Sequence, residues 1–330
     1  MYFGLSDEAR ELREGVRDVL AGACTPEAVR AAWPDGDAAK VDLLWGALGD
    51  LGLLGLLVPE ESGGLDLGPL VAVAALEEAG YAGVPGPLVE TVTVVAPLLA
   101  AAGHDLLPDV LAGRARVAVQ HGSDTVPYAA TTDAVLQLDG GVRLLPREDA
   151  KLEPVATVDG SRALATVVGD GAPIDADAGP ALLLARLGTA AFLLGLARRQ
   201  VDLTVAYVKD RKQFGVAVGT FQALKHPLAD AVVGTEFAWP VVLRAAQSVA
   251  DGDPDVALHV AMAKLLASES AYRVSRVCLQ AHGAIGYTTE YDLHLFGKRT
   301  WALAADWGSP AQLRTELARR LDLTPEGTEA

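Results

Sequence analysis

Two cysteines, two methionines and few aromatic residues set the first limits on this 330-residue chain. Cys24 and Cys278 stand far apart and in no metal-type spacing, which excludes a disulfide framework or a zinc site and fits a reducing cytoplasm. Aromatic residues make up 5% of the chain against 51% hydrophobic residues overall, with Ala and Leu prominent, which favours packed helices over a large aromatic-rich sheet. Basic charge is also short. Lys and Arg number 27 against 43 Asp and Glu, a net charge of −16, which argues against nucleic acid or an anionic membrane as partner. Charges break the apolar runs before membrane-spanning length, so no transmembrane helix is expected, and the N-terminal stretch reads as an amphipathic helix, not a signal peptide.

Familiar catalytic signatures are missing too. There is no GxxxxGK[ST], no GxGxxG after a strand, no GxSxG and no HExxH. The six histidines, at 104, 121, 226, 259, 282 and 294, show no metal-ligand spacing, so no metal is expected.

What is present falls into three parts: helical over 1–113, β-rich over 114–178 and helical again over 179–330. Ser6 caps a first helix with Asp7 and Glu8 in its first turn. Leu43, Leu44, Leu48 and Leu51 keep helical spacing up to GLLGLLVPEESGG, and a further helix begins near Pro69. ARVAVQHG, AVLQLDG, GVRLLP, PVATVDG and RALATVVG are short β-prone runs that predict a small antiparallel domain, with His121 to Asp124 as a turn. From Gly179, the residues Leu187, Ala191, Leu194, Val201, Val205 and Val208 form a helical stripe. The next helix is predicted over 220–250, kinked or broken at Pro227 and Pro240, and Asp253-Pro254 starts another that reaches Ala281.

Two stretches carry candidate chemistry. In RKQFGVAVGTFQALKHPLAD, Arg211 and Lys212 precede a tight Phe-Gly break and Phe221-Gln222 open the next helix; a cation and an amide so placed suit the phosphates and polar groups of a large cofactor. In QAHGAIGYTTEYDLHLFGKR, Gly283 and Gly286 permit close backbone approach and leave peptide N–H groups and the Gln280 amide available, although a helix C-cap followed by a turn explains the same residues.

Taken in order, the amphipathic start, LWGALGDLGLLGLLVPEESGG, RKQFG…FQ…LAD and QAHGAIGYTTE resemble the acyl-CoA dehydrogenase family over nearly the whole chain. The resemblance implies a mainly α fold: an N-terminal helical domain, a middle β domain and a C-terminal four-helix bundle, with FAD bound between protomers. In that family a carboxylate base removes a proton from Cα of an acyl-CoA thioester while hydride leaves Cβ for the flavin. Arg211 would contact the FAD pyrophosphate of a neighbouring protomer, and Phe214, Phe221 and Gln222 would line the same region. Gln280, Ala281, His282, Gly283 and Ala284 would hold the dinucleotide from the following loop.

The chain departs from the family at the base. The usual glutamate of a YEGT-like stretch is Trp307 within ALAADWGSPAQ, and the alternative position falls at Ala185. Asp306 is the adjacent carboxylate. The flavin-cradling TEP…GSD loop is reduced to HGSD at 121–124, and the usual Arg-Asp pair after the GYT loop is Lys298-Arg299. The pattern is similar to the short, base-lacking subunits that pair with a full-length acyl-CoA dehydrogenase subunit as an α2β2 heterotetramer in actinobacterial steroid-CoA breakdown. Electron-transfer flavoprotein would be the acceptor. Two alternatives stay open: a self-sufficient homomeric enzyme using Asp306, and a non-catalytic binding or scaffolding protein of the same fold.

Overall fold

The computed structural model describes residues 4–323. The N-terminal part contains α1 (Asp7–Ala23), α2 (Pro26–Ala31), α3 (Ala38–Asp50), α4 (Gly68–Ala82), α5 (Leu88–Glu90), α6 (Ala96–Ala101) and α7 (Leu107–Leu111). The expected cap is in place: Ser6 Oγ accepts from the Ala9 amide at 3.2 Å, and α1 buries Ala9, Val16 and Leu20. Between α5 and α6 the backbone runs through a π-helical turn, Thr91–Val95. Such wide turns are uncommon and frequently sit at functional sites.

Among the described residues nine short strands follow: β1 (Val117–Gln120), β2 (Thr125–Val126), β3 (Ala134–Gln137), β4 (Arg143–Pro146), β5 (Lys151–Pro154), β6 (Ala165–Val168), β7 (Ala172–Pro173), then β8 (Lys212–Gln213) and β9 (Val216–Ala217) in the bundle region. One sheet has the order β1-β3-β4-β7 and a second β2-β6-β5. The expectation of a purely antiparallel domain is corrected here, because β1 and β3 are parallel, with Val117 opposite Ala134. After β1 the chain leaves for the second sheet as β2 and returns through a turn at Ala129–Thr131, so β3 enters running the same way. PVATVDG is also not a strand beyond Pro154. Lys151 to Pro154 pair with β6 instead, and Asp159 draws the chain into a 3₁₀ turn by accepting from the Ser161 amide.

The C-terminal part contains α8 (Gly179–Asp210), α9 (Gln222–Asp251), α10 (Val256–His282), α11 (Leu293–Ala305) and α12 (Pro310–Arg320). Its centre is α8, which packs on α4, α9, α10 and α11. This helix has the length and composition of a membrane span (mean hydropathy 1.7), contrary to the sequence expectation, but 72% of the apolar window is buried inside the protein. It crosses α4 at backbone contact. A Cβ on Gly195 would lie 1.9 Å from the Glu77 carbonyl oxygen, and one on Gly80 would lie 2.1 Å from that of Phe192. Only glycine permits that approach.

α9 continues through Pro227 and Pro240, so neither proline breaks it. Each proline removes one ladder bond, and packing of α9 along α10 and α8 holds the remainder in register. α10 begins at Val256, two residues later than the Asp253-Pro254 signal implied. The Asp253 carboxylate instead accepts from the Asp255 amide at 2.9 Å and pairs with Arg244 at 2.8 Å.

Candidate functional site

α8 stops at Asp210 because Arg211 turns extended, with φ −70° and ψ 122°. β8 and β9 then form a hairpin, Lys212 opposite Ala217 and Gln213 opposite Val216. Its tip is Phe214-Gly215, both at positive φ (54° and 82°). A bulky residue in that region is strained, yet the Phe214 side chain is 92% exposed. Its ring meets Phe221 edge to face at 6.3 Å. Arg211, Lys212 and Gln222 are exposed, and neither cation makes an ion pair among the described residues. An aromatic tip beside two unpaired cations suits a flat, anionic partner.

The second segment ends α10. Gly283, at φ 63° and ψ −140°, stops the helix, and Gly283–Tyr287 forms a 3₁₀ turn. Gln280, Gly283 and Ala284 are exposed, Ala281 is half-buried and His282 is buried. Burial lowers the His282 pKa, so the ring is neutral at pH 7, and its Nδ1 bonds the Cys278 carbonyl at 2.8 Å. The imidazole stacks on Tyr207 at 4.4 Å and lies 4.8 Å from Tyr291. Its Nε2 has no partner among the described residues. The Tyr207 hydroxyl donates to the His282 carbonyl at 3.4 Å. Tyr207 is one turn before Arg211, so this stack ties the two stretches together. A cation and exposed aromatic rings fit the adenosine-diphosphate half of a dinucleotide.

The two positions at which a base was expected lie elsewhere. Ala185 is fully buried, and its carbonyl accepts from Thr189 Oγ1. Trp307, at φ 56°, sits in the turn between α11 and α12. A left-handed tryptophan costs about 1–2 kcal/mol. Two contacts hold it: Arg186 Nε donates to its carbonyl at 2.9 Å, and its ring lies parallel to His121 with centroids 5.9 Å apart. The HGSD turn thus meets the Trp307 loop directly. Gly122 N and His121 Nδ1 bond the Asp139 carboxylate at 2.8 and 3.1 Å, fixing that turn.

Asp306 is paired with Arg162. Burial opposes the charge on Arg162, but Asp306, Tyr128 and Glu90 outweigh it and hold the guanidinium protonated. The ion pair leaves this carboxylate engaged by a guanidinium.

Sequence reasoning missed the buried groups around this pair. Glu90, at the mouth of the π-helical turn, is pushed up to about 7, first by burial and then by Asp306, against the opposing charges of Arg162 and Arg299. Arg299 pairs with Asp159 and donates to Ser161 and to the Val84 carbonyl. Lys264 is fully buried, donates to Ser268 Oγ and to the Leu303 and Ala304 carbonyls, and is pushed down to about 7 by burial. It caps the end of α11 that presents Asp306. The only sequence signal for Glu90 and Lys264 is a single charge inside an apolar run.

With this geometry in place, the comparisons define the class. The family models for the acyl-CoA dehydrogenase N-terminal and C-terminal domains match residues 6–111 and 177–321. The acyl-CoA dehydrogenase IpdE2 of Mycobacterium tuberculosis is 36% identical over 320 residues, spanning 96% of this chain and 96% of that protein. Among solved structures, a chain of the ChsE4-ChsE5 complex from Mycobacterium tuberculosis superposes with a TM-score of 0.81 at 25% identity, covering 98% of this chain and 100% of that one. A chain of the Tcur3481-Tcur3483 steroid acyl-CoA dehydrogenase variant gives 0.82 at 28%, covering 96% and 98%. The chain belongs to the acyl-CoA dehydrogenase family, the FAD-dependent oxidoreductases built as helical domain, β domain and helical bundle.

Proposed function

We propose that this chain is the non-base subunit of a heteromeric acyl-CoA dehydrogenase. It lends the adenosine-diphosphate side of an FAD site to a full-length partner subunit, which supplies the catalytic base. FAD, when bound there, accepts the hydride from the acyl-CoA thioester. Arg211 holds the pyrophosphate, Phe214, Phe221 and Gln222 flank it, and Gln280, Ala281, His282, Gly283 and Ala284 form the loop side. His282 contributes by packing, its ring being buried against Tyr207.

One observation carries this reading: a free, exposed cation-aromatic hairpin coexists with a base position occupied by Trp307 stacked on His121. The ion pair of Asp306 with Arg162 weighs against a self-sufficient enzyme that uses Asp306. Likeness to a steroid acyl-CoA dehydrogenase and to the ChsE4-ChsE5 complex favours a steroid-derived CoA thioester as substrate and a heterotetrameric assembly. By the same family logic electrons leave to an electron-transfer flavoprotein, and the buried, unpaired thiols of Cys24 and Cys278 suit the cytoplasm.

The test is the flavin absorbance and turnover of the chain purified alone and co-expressed with a full-length partner. Both are expected only in the co-expressed complex. Stoichiometric FAD and turnover in the isolated chain would overturn the proposal.

A further inference from the structure

A second candidate site, which includes none of the hairpin residues, is a cavity of about 210 Å³ formed by α1, the α1–α2 turn, α4, α8 and α11. Arg17, Leu20, Cys24, Tyr81, Arg199 and Phe296 contribute to its lining, and the exposed Ala21 stands at its rim. With about 30 Å³ per water, the space holds roughly seven waters, which suits a small molecule and not a CoA thioester.

Its charge is unusual for so acidic a chain. Arg13, Arg17, Arg198 and Arg199 converge near only two buried carboxylates, Glu77 and Glu78. The first three arginines are ion-paired: Arg13 with both carboxylates at 2.6 and 2.7 Å, Arg17 with Glu78 at 2.7 Å, and Arg198 with both at 3.0 and 2.7 Å, although the Arg198 Nε makes no hydrogen bond. Burial alone would raise the Glu78 pKa, but hydrogen bonds from Arg17 and Arg198 overcome it and hold the carboxyl at about 2. Glu78 is therefore ionised and fully engaged.

Arg199 is different. It has no ion pair and no hydrogen bond among the described residues, and its Nε is buried without a partner. Its guanidinium lies over the rings of Tyr81 at 5.3 Å and Phe296 at 5.6 Å. The nearby Asp202 is taken by the Tyr81 hydroxyl at 2.9 Å. A buried donor left unpaired is costly, and a planar guanidinium resting on aromatic rings keeps its edge for a two-point bond to a carboxylate. Leu20, Ala82 and Phe296 offer an apolar wall beside it.

We propose that this cavity binds a small organic monocarboxylate, with the carboxylate on Arg199 and the hydrocarbon against Leu20 and Phe296. The site is independent of the flavin surface. It makes no use of the hairpin or of the GYT loop.

Titration calorimetry with sodium benzoate, on the full chain together with any subunit that co-purifies, tests it. One saturable site per chain is expected. Arg199→Gln should weaken benzoate at least 10-fold, and Ala21→Trp, at an exposed position, should block it with all four arginines retained. Both variants should keep the parent flavin content. No benzoate binding by the parent protein, or binding unchanged in Ala21→Trp, would overturn the proposal. Inorganic phosphate binding as tightly as benzoate would overturn the assignment to an organic acid and leave a plain anion site. Should Arg199→Gln fail to fold, Ala21→Trp decides alone.

Discussion

Tyr207 and His282 stack with centroids 4.4 Å apart and planes 16° apart, and this contact couples the end of α8 to the end of α10. The two proposed cofactor-binding stretches are remote in sequence, so their relative position depends on this pair and on Tyr291, 5.6 Å from Tyr207. Tyr207→Ala should lower the thermal midpoint and reduce flavin retained by the assembled complex, while Tyr207→Phe keeps the stack and most of the flavin. Aromatic pairs contribute about 0.5–1.5 kcal/mol beyond area burial. Equal flavin content in the Ala variant would show that the stack does not position the site.

Arg211 is exposed and makes no ion pair among the described residues, so its replacement should leave stability unchanged within about 0.5 kcal/mol. Arg211→Ala should nonetheless release FAD from the assembled complex. Losing a charge-assisted bond costs about 1.5–3 kcal/mol, or roughly 10- to 100-fold in affinity. The readout is the flavin-to-protein absorbance ratio after gel filtration. Arg211→Lys should recover only part of the loss, because an ammonium cannot make the paired bonds of a guanidinium.

Asp306 separates structure from catalysis. Asp306→Asn strands Arg162, whose side chain is 5% exposed, without its carboxylate. A cost of about 3 kcal/mol is expected, visible as a lower denaturation midpoint. In the assembled complex kcat should stay at the parent value at a temperature where the variant is folded. A collapse of kcat there would make Asp306 the base.

Two buried groups give opposite pH dependences. Glu90 titrates near 7 in the folded chain against 4.5 for the free side chain, so the folded state holds its proton between those values. Its contribution is complete below pH 4.5 and lost as the pH rises to 7, by about 3 kcal/mol at most. Asp306, Arg162 and Arg299 are the charges that act on it. Lys264 is lowered from 10.5 to about 7, so the unfolded state holds more protons over that interval. Stability from Lys264 therefore climbs between pH 7 and 10.5. Urea midpoints against pH should lose the acid-side slope in Glu90→Gln and the alkaline-side slope in Lys264→Met. Parallel curves for parent and variants would refute both assignments.

The legible parts of the site share a trait: each is encoded within a few residues. The Phe-Gly break predicts a tight reversal after Arg211, and positive φ at Phe214 and Gly215 produces it. Gly283 likewise ends α10 next to the GYT loop. The parallel pairing of β1 with β3 was not legible, because it depends on β2 joining another sheet first. Nor were the groups around Asp306: Arg162 reaches it across 144 residues, and Arg299 reaches Asp159 across 140. Local periodicity carries no record of which charge a buried charge will meet.

Short windows of sequence carried the helical-β-helical order, the Ser6 cap, the RKQFG break, a tryptophan at 307 where a glutamate was expected, and the family these imply. Those features follow from backbone preferences and side-chain types over short windows. Packing alone set the stacking of Trp307 on His121, the hold of Arg162 on Asp306, and the lack of an ion-pair partner for Arg199 among the described residues beside a cavity. Each is set by burial, which makes the energy of a charge or a ring depend on neighbours that converge only when all three parts of the chain pack.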